Sequence, residues 1–370
     1  MMYARIVSKT ITLLSWNVKG ARVLRTSSIA RAHTLTLERS LKPSKRDQEL
    51  WATGAFQGKV YPDLPVATTW KGYASYLLQQ RLANGGLSPN DGKHHDLHAP
   101  GPRGMTVRTV AAQAFSTAEL SYKMEAACGA ADEPDLQQKP PADALLFVSG
   151  SHPVRQLNQI LPASNRWLSS SVDLLKTAAQ MKQAGDLPPD VQLWATENPN
   201  VNPVKRLVTK ACCDTPLEWP QWAHGQILPW TSVNVHVVVE AGATTILTQP
   251  PFLWQAFEEW HLALDRQQVL EECQLVVGMP ILSSVRNLQF WLELCGVSRR
   301  PAATQLLQTF GRAQDPDQMC AEWNISTIQQ VLSLPGVAGL HVMAVTDKSR
   351  RMAMDLLRSG VLPSGQPTLP

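Results

Sequence analysis

One short stretch of the chain concentrates groups that bind metals. Residues 91–98 include Asp91, His94, His95, Asp96 and His98. Imidazole and carboxylate suit zinc and other divalent cations. The stretch lies in a Gly- and Pro-rich segment, and no helical pattern aligns its side chains on one face. We therefore interpret it as a solvated loop and expect no metal site.

Two further clusters contain nucleophiles. The run Ser149–Gly150–Ser151–His152 holds serine and histidine but lacks the G-x-S-x-G turn of hydrolases. The other cluster is the adjacent pair Cys212 and Cys213, whose thiols cannot easily bind one ion together. No CxxC pair occurs, which argues against a disulfide scaffold or a zinc ribbon and favours a reducing compartment. The six cysteines are Cys128, Cys212, Cys213, Cys273, Cys295 and Cys320.

Length and composition limit the class of protein. The chain has 370 residues, enough for one large domain or two ordinary ones. It is 44% hydrophobic and 17% charged, so it can bury a substantial core. No apolar run reaches the roughly 18 residues that a membrane-spanning helix needs. We expect a globular protein without a transmembrane segment.

The net charge of +4 is unevenly distributed. Residues 1–37 contain six basic residues and no acidic one; removing those six from the 34 basic residues leaves 28, against 30 acidic residues. A nearly neutral body does not indicate nucleic-acid binding, and no such contact is predicted. The Arg- and Ser-rich leader is typical of a transit peptide and favours a mitochondrial location. An ordinary basic tail is the alternative.

The elements that would position a site become regular after residue 105. A Ser116/Glu119 capping box predicts the start of a helix that ends at residue 127. Further helices are predicted by apolar residues at helical spacing, and strands by short apolar runs. The predicted strands are 106–111, 144–148, 191–195, 233–239, 244–247, 274–277 and 340–345, and the other helices are 172–184, 252–265 and 349–358. Residues 64–69 are only weakly strand-like.

At least six successive βα units favour an eight-stranded (β/α)8 TIM barrel. We assign it to residues 38–358, with insertions at about 84–104 and 212–232, after an irregular N-terminal extension and before a tail at 359–370. A doubly wound parallel sheet is the alternative. It would normally carry a Gly-rich phosphate-binding turn, and the chain has no GxGxxG.

Four segments resemble the methylenetetrahydrofolate reductase family in their order and spacing. Residues 240–252 (EAGATTILTQPPF) resemble its sixth strand and the turn that follows. Residues 145–150 (LLFVSG), 276–281 (VVGMPI) and 336–342 (GVAGLHV) resemble its fourth, seventh and eighth strands. The resemblance covers residues 106–358 well and the preceding part poorly.

The resemblance implies a barrel that holds FAD and passes a hydride from NAD(P)H to methylenetetrahydrofolate. In that family a glutamine orients the folate, and Gln249 matches it; a strand-end glutamine bonded to a loop carbonyl is the alternative. A glutamate on the first strand protonates the folate, and Glu38 is the nearest match, within residues 35–43 (LTLERSLKP). The alternative is that Glu38 is merely the first acid after the leader.

Several departures affect the implied cofactor site. The family carboxylate after the fourth strand is replaced, which leaves Gly150 and His152 as the cofactor-binding candidates. The motif after the fifth strand is replaced by residues 196–203 (TENPNVNP), and the family lysine before the Ala-Gly-Ala turn falls on Val238. The Trp- and Pro-rich residues 219–230 form an insertion that could cover the mouth of the barrel. Glu197 and Lys205 are the groups that could compensate.

Two hypotheses follow. The first is a pseudoenzyme, a reductase-like barrel without FAD that serves as an accessory subunit of a larger mitochondrial protein complex, such as a respiratory complex or the ribosome. The second is an active FAD-dependent methylenetetrahydrofolate reductase that uses NAD(P)H. The departures around the cofactor favour the first hypothesis, whereas Glu38 and Gln249 favour the second.

Overall fold

The computed structural model describes residues 33–39, 44–62, 104–111, 117–129, 141–148, 171–200, 239 and 241–363. All of them belong to one compact unit, residues 32–370.

Eight parallel strands form a closed barrel in which every strand pairs with its neighbours in chain order and β8 pairs with β1. The strands are β1 Thr34–Glu38, β2 Gly58–Tyr61, β3 Met105–Ala111, β4 Ala144–Val148, β5 Gln192–Glu197, β6 Thr245–Thr248, β7 Gln274–Pro280 and β8 Val337–Met343. The fold is therefore a (β/α)8 TIM barrel, and closure excludes the open doubly wound sheet.

Nine helices lie in the described part of the chain. They are α1 Lys45–Ala52, α2 Thr117–Ala127, α3 Ser171–Ala184, α4 Trp254–Arg266, α5 Val269–Glu272, α6 Val285–Leu294, α7 Pro301–Arg312, α8 Pro316–Leu332 and α9 Asp347–Arg358. The N-terminal amides of α1 and α9 are capped by local side chains, since Ser44 and Thr346 each form a capping box.

Successive residues of each strand point to opposite faces of the barrel wall. Val107, Leu146, Trp194 and Leu247 pack together in a cluster drawn only from strands, which fills the interior. The alternate residues, such as Leu145, join the larger core between strands and helices. The barrel interior is thus a packed core and not a pore, and a ligand-binding site is expected at the end of the barrel.

Between β7 and β8 the chain forms three helices instead of one. Helix α8 contacts β8, as the helix of a βα unit should. Helices α6 and α7 form an additional hairpin with its own core, which includes Leu288, Trp291 and Phe310 and takes in Phe252 from the loop after β6 and Leu282 from the loop after β7. The hairpin therefore packs on the carboxyl ends of β6 and β7. We call it the mouth hairpin.

The first and last helices are joined by a buried ion pair. Arg350 of α9 donates from Nε to Asp47 Oδ1 of α1 at 2.7 Å and from a terminal nitrogen to Asp347 Oδ1 at 2.8 Å. Its side chain is only 7% exposed. Because Asp47 also caps α1, the contact fixes the start of that helix to the last βα unit.

The barrel begins earlier than predicted. Strand β1 starts at Thr34, so residues 34–37 belong to the barrel and not to the basic leader. They share the leader's lack of acidic residues, and composition alone assigned them to the leader, although Thr and Leu alternate in them as in a strand. Residues 1–32 of the leader lie outside the described residues. Helix α9 ends at Arg358, at the predicted end of the barrel.

Several other boundaries shift. Strand β4 was predicted correctly. Strand β8 starts three residues earlier than predicted, and β2 was not predicted. The mouth hairpin was also not predicted. The Ser116 cap, the weak strand at 64–69, the insertion at 212–232 and nearly all of the insertion at 84–104 lie outside the described residues. So does the predicted strand at 233–239, apart from Val239.

Candidate functional site

Three polar side chains from the two strands that close the barrel form a hydrogen-bonded chain. His341 on β8 contacts Glu38 on β1, with 2.8 Å between Nε2 and Oε2. The other ring nitrogen, Nδ1, lies 3.0 Å from Oγ1 of Thr36. The His341 side chain is 3% exposed and that of Glu38 is 19% exposed. The buried imidazole is thus held at both nitrogens, and the carboxyl group reaches solvent.

Strand pairing brings these residues together. In the register of β1 and β8, Thr36 lies opposite His341. Leu35 and Leu37 belong to the outer core, so Thr36 and Glu38 alternate onto the inner face of β1. Leu340 and Val342 likewise leave His341 on the inner face of β8. Glu38 is the last residue of β1, so its carboxyl group stands at the carboxyl-terminal mouth, where TIM barrels carry their active sites.

A glycine of the neighbouring strand lies beside His341. Gly278 of β7 lies opposite His341 in the other strand pairing of β8. A Cβ atom at Gly278 would collide with the carbonyl oxygen of Thr248 and lie 3.2 Å from Cε of Met343. Glycine is therefore required there for β6 and β7 to approach each other, and it adds no side chain beside the imidazole.

The hydrogen-bonded chain can hold or pass a proton. With neutral His341 beside an ionised Glu38, Nε2–H donates to the carboxylate and the Thr36 hydroxyl donates to Nδ1. With a protonated ring, both nitrogens donate and the hydroxyl oxygen accepts. Glu38 therefore has a fixed partner for Oε2 in either state. Its Oε1 has no hydrogen-bond partner within the described ranges and is the oxygen available to a ligand.

Gln249 follows β6 at the same end of the barrel, with β7 and β8 between it and β1. Its backbone N–H donates to the carbonyl oxygen of Glu197 at 2.7 Å. Its side-chain Oε1 accepts from Sγ of Cys295, 3.4 Å away at the end of α6. Its Nε2 has no partner among the residues described. The amide therefore keeps two N–H donors for a ligand.

Two asparagines after β5 organise the loop that carries Gln249. Asn200 is 2% exposed; it donates from Nδ2 to the carbonyl oxygen of Pro250 at 2.7 Å and accepts from the N–H of Leu253 at 3.1 Å. Asn198 donates from Nδ2 to the carbonyl oxygen of Cys295 at 2.9 Å. These contacts tie the loops after β5 and β6 to the end of α6.

The predicted residues have different outcomes. Glu38 and Gln249 both lie at carboxyl ends of strands, as the predicted chemistry required. Glu197 ends β5, but it is 3% exposed and alternates with residues of the inner face, so its carboxylate is directed away from the interior and does not replace the missing one. Lys205, Gly150 and His152 lie outside the described residues.

The other clusters singled out from the sequence also fall outside the described part of the chain. These are residues 91–98, Ser149 and Ser151, Cys212 and Cys213, and the Trp-rich residues 219–230. The four described cysteines, Cys128, Cys273, Cys295 and Cys320, are free and buried.

Sequence analysis missed His341, Thr36 and Cys295. Residues 340–342 read Leu-His-Val, and a lone polar residue between two outward apolar ones places the histidine inside a barrel. That signal was present for His341. No local signal identifies its partner Glu38, which lies 303 positions away.

The described strand ends offer few cationic groups to a flavin diphosphate. A diphosphate requires cationic or N–H donor groups. The residues directly after β1, β2 and β5–β8 include one cationic side chain, Arg39, and it donates to the Tyr61 hydroxyl at 3.3 Å. Glu38 adds negative charge at the same end. The ends of β3 and β4 are followed by residues outside the described ranges, so this count concerns the other six strand ends.

No protein-family model matches the chain, and no curated protein matches it either. Among solved structures, it is similar to an uncharacterized protein from Clostridium thermocellum that binds two copies of 5-methyl-5,6,7,8-tetrahydrofolic acid. That similarity has a TM-score of 0.49 at 13% identity and covers 89% of this chain and 96% of that one.

Two further similarities are weaker. An HpcH/HpaI aldolase from Desulfitobacterium hafniense DCB-2 has a TM-score of 0.30 at 12% identity, covering 91% of this chain and 96% of that one. A 2,3-dimethylmalate lyase of the PEP mutase/isocitrate lyase superfamily has 0.38 at 9%, covering 92% and 88%. At these TM-scores the similarities say nothing about what this chain binds, and the fold follows from its own closed strand order.

Among the described helices, none is long and apolar enough to cross a membrane.

Proposed function

We propose that the barrel binds a reduced folate at its carboxyl-terminal mouth and that Glu38 transfers a proton to it, as in a methylenetetrahydrofolate reductase. The observation that carries this proposal is the 2.8 Å contact between Glu38 and the buried His341. A folate ring that is opened or reduced needs a proton at nitrogen, and a positioned carboxylic acid supplies it.

The proton path follows from the two carboxyl oxygens. Protonated Glu38 donates from Oε1, which has no partner in the described structure, to a ligand nitrogen. The negative charge left on the carboxylate is stabilised by the N–H of His341 at Oε2. Because His341 is already oriented by Thr36, this stabilisation requires no rearrangement during proton transfer. Gln249 offers its amide N–H donors at the same mouth to orient the ring.

Binding and proton transfer can be tested separately. Calorimetric titration with 5-methyltetrahydrofolate should show binding that Gln249→Ala weakens. With NAD(P)H and FAD supplied, turnover of methylenetetrahydrofolate should fall about 100-fold or more in Glu38→Gln, the range for loss of a general acid. Glu258→Gln, an exposed glutamate of α4, is the control and should leave both unchanged. A wild-type protein that does not bind the folate at millimolar concentration would refute the proposal.

A second candidate is the accessory subunit of a mitochondrial protein complex. It is supported by the sequence departures at the cofactor site and by two exposed apolar residues of the mouth hairpin. Phe290 is 48% exposed and Leu294, one helical turn later, is 45% exposed. Apolar side chains at this spacing on one helix suit contact with another protein subunit.

The absorption spectrum and the native size of the purified protein distinguish the two candidate functions. The protein is purified from mitochondria, where the basic leader would direct it. A stoichiometric flavin signal that NAD(P)H bleaches would support the reductase and contradict the accessory subunit. A colourless protein in a large particle would support the accessory subunit, and Phe290→Asp should then release the chain from that particle. Its matched control is Arg312→Asp, on an exposed site of α7.

A further inference from the structure

We propose that Cys295 and Asn198 are positioning residues that fix the orientation of the Gln249 carboxamide, so that the site selects a ligand with a hydrogen-bond acceptor at that position. The inference deepens the proposed function and rests on it. It concerns a part of the site that comes from the mouth hairpin, which the βα pattern of the sequence does not reveal.

The orientation of the amide depends on which of its two ends has a protein partner. Gln249 Oε1 receives Cys295 Sγ at 3.4 Å, within the range for a hydrogen bond that involves sulfur. Gln249 Nε2 has no partner in the described residues. The thiol therefore holds the oxygen end toward α6, and the nitrogen end is left for the ligand.

The thiol acts as the donor in this contact. Cys295 is 3% exposed, and burial raises its pKa to about 12. The sulfur is consequently protonated throughout the neutral range and carries the hydrogen that Gln249 Oε1 accepts. A thiolate would repel the oxygen and reverse the preference of the amide.

Asn198 fixes the position of Cys295 itself. Its Nδ2 donates to the carbonyl oxygen of Cys295 at 2.9 Å, which holds the end of α6 against the loop after β5. Asn198 Oδ1 in turn accepts from Asn200, whose other contacts hold the loop of Gln249. The amide, the thiol and both loops thus form one connected set, in which Cys295 is the only described link to the amide side chain.

This arrangement defines the ligand chemistry. Two N–H donors on a single nitrogen suit a ring carbonyl oxygen or a ring nitrogen with a lone pair, such as those of a pterin. A ligand that presents an N–H or O–H group there would place its donor against the N–H donors of Gln249. Both donors would then lack an acceptor in the complex, which is disfavoured. Cys295 therefore contributes to specificity without contacting the ligand.

The chain provides a matched control. Cys320 is a second thiol in the core of the mouth hairpin, is fully buried and has its pKa raised to about 11 by burial. Truncation of either cysteine to alanine removes the same atoms from the same small core. Only Cys295 contacts Gln249, so a difference between the two variants reports the contact and not the loss of packing.

The first measurement uses ligand-free protein with 15N-labelled glutamine side chains. The NH₂ signals of Gln249 are identified by their loss in Gln249→Ala. We expect Cys295→Ala to move or broaden these signals, and both Cys320→Ala and Cys295→Ser, which retains a donor, to leave them near their wild-type positions. Unchanged signals in Cys295→Ala would overturn the inference, whether or not the protein binds a folate.

The second measurement is titration with 5-methyltetrahydrofolate. Loss of one hydrogen bond in a partly buried site should weaken binding about fivefold in Cys295→Ala and less than about twofold in Cys320→Ala. In the Gln249→Ala background, Cys295→Ala should have no further effect. An equal loss in both cysteine variants, or a further loss without Gln249, would contradict positioning. If the wild type binds no folate but its Gln249 signals move in Cys295→Ala, the proposed function fails and the positioning by Cys295 stands.

Discussion

The contact between Glu38 and His341 should have a measurable energy. Glu38→Ala removes the acceptor of His341 Nε2–H and leaves that donor in a site where the imidazole is 3% exposed. A hydrogen bond that involves a charged partner contributes about 1.5–3 kcal/mol, and a buried donor left without a partner costs a similar amount. We therefore expect Glu38→Ala to lower the free energy of unfolding by about 1.5–3 kcal/mol. Glu38→Gln, which keeps an acceptor oxygen, should lower it less.

The assay is a double-mutant cycle in urea at pH 7. The free energy of unfolding is measured for the wild type, Glu38→Ala, His341→Ala and the double variant. The cavity left by His341→Ala cancels in the cycle, so the coupling energy isolates the pair. An exposed ion pair serves as the reference. Lys348 and Asp317 are 42% and 61% exposed, and their cycle should give about 1 kcal/mol or less.

The decisive result is the difference between the two cycles. A Glu38–His341 coupling below about 0.5 kcal/mol, equal to that of the exposed pair, would show that the imidazole does not depend on the carboxylate. The proton path proposed for Glu38 would then lose its support. A large coupling together with an intact Thr36 contact would agree with the chain seen in the structure.

Two further predictions concern stability. Burial lowers the pKa of His261, and its ring donates to the carbonyl oxygen of Pro335 at 2.8 Å. The unfolded chain then binds more protons than the folded chain below about pH 6.5. The free energy of unfolding should therefore keep its full value above that pH and fall by up to about 1.4 kcal/mol per pH unit below it. His261→Gln should flatten this dependence in urea titrations at about pH 7.5 and 5.5. A parallel profile for the variant would contradict the assignment. At Gly339, a Cβ would collide with the carbonyl oxygen of Thr34, so Gly339→Ala should lower the free energy of unfolding by about 3 kcal/mol or more. Gly311 lies in an open helical position, so Gly311→Ala should raise it by about 0.5–1 kcal/mol in the same denaturation assay.

Much of the barrel is encoded locally. Residues 144–148 are continuously apolar because β4 is buried on both faces, and the sequence predicted this strand with its observed bounds. Helix α3 was predicted to within one residue because Leu174, Leu175, Ala178 and Met181 recur at helical spacing and Gly185 follows the last turn. By contrast, β2 has only four residues, too few for a periodic signal, and the mouth hairpin has ordinary helical patterns that do not reveal their place in the fold.

The site divides in the same way. The sequence by itself proposed Glu38 and Gln249, because residues 35–43 and 240–252 resemble segments of the reductase family. Only the tertiary structure paired Glu38 with His341, which requires the barrel to close with Thr36 opposite His341. It alone also placed Cys295 against Gln249, by folding the mouth hairpin over the ends of β6 and β7. Periodicity in a chain determines which face of an element is buried, whereas contacts between distant elements depend on register and closure, which no local pattern contains.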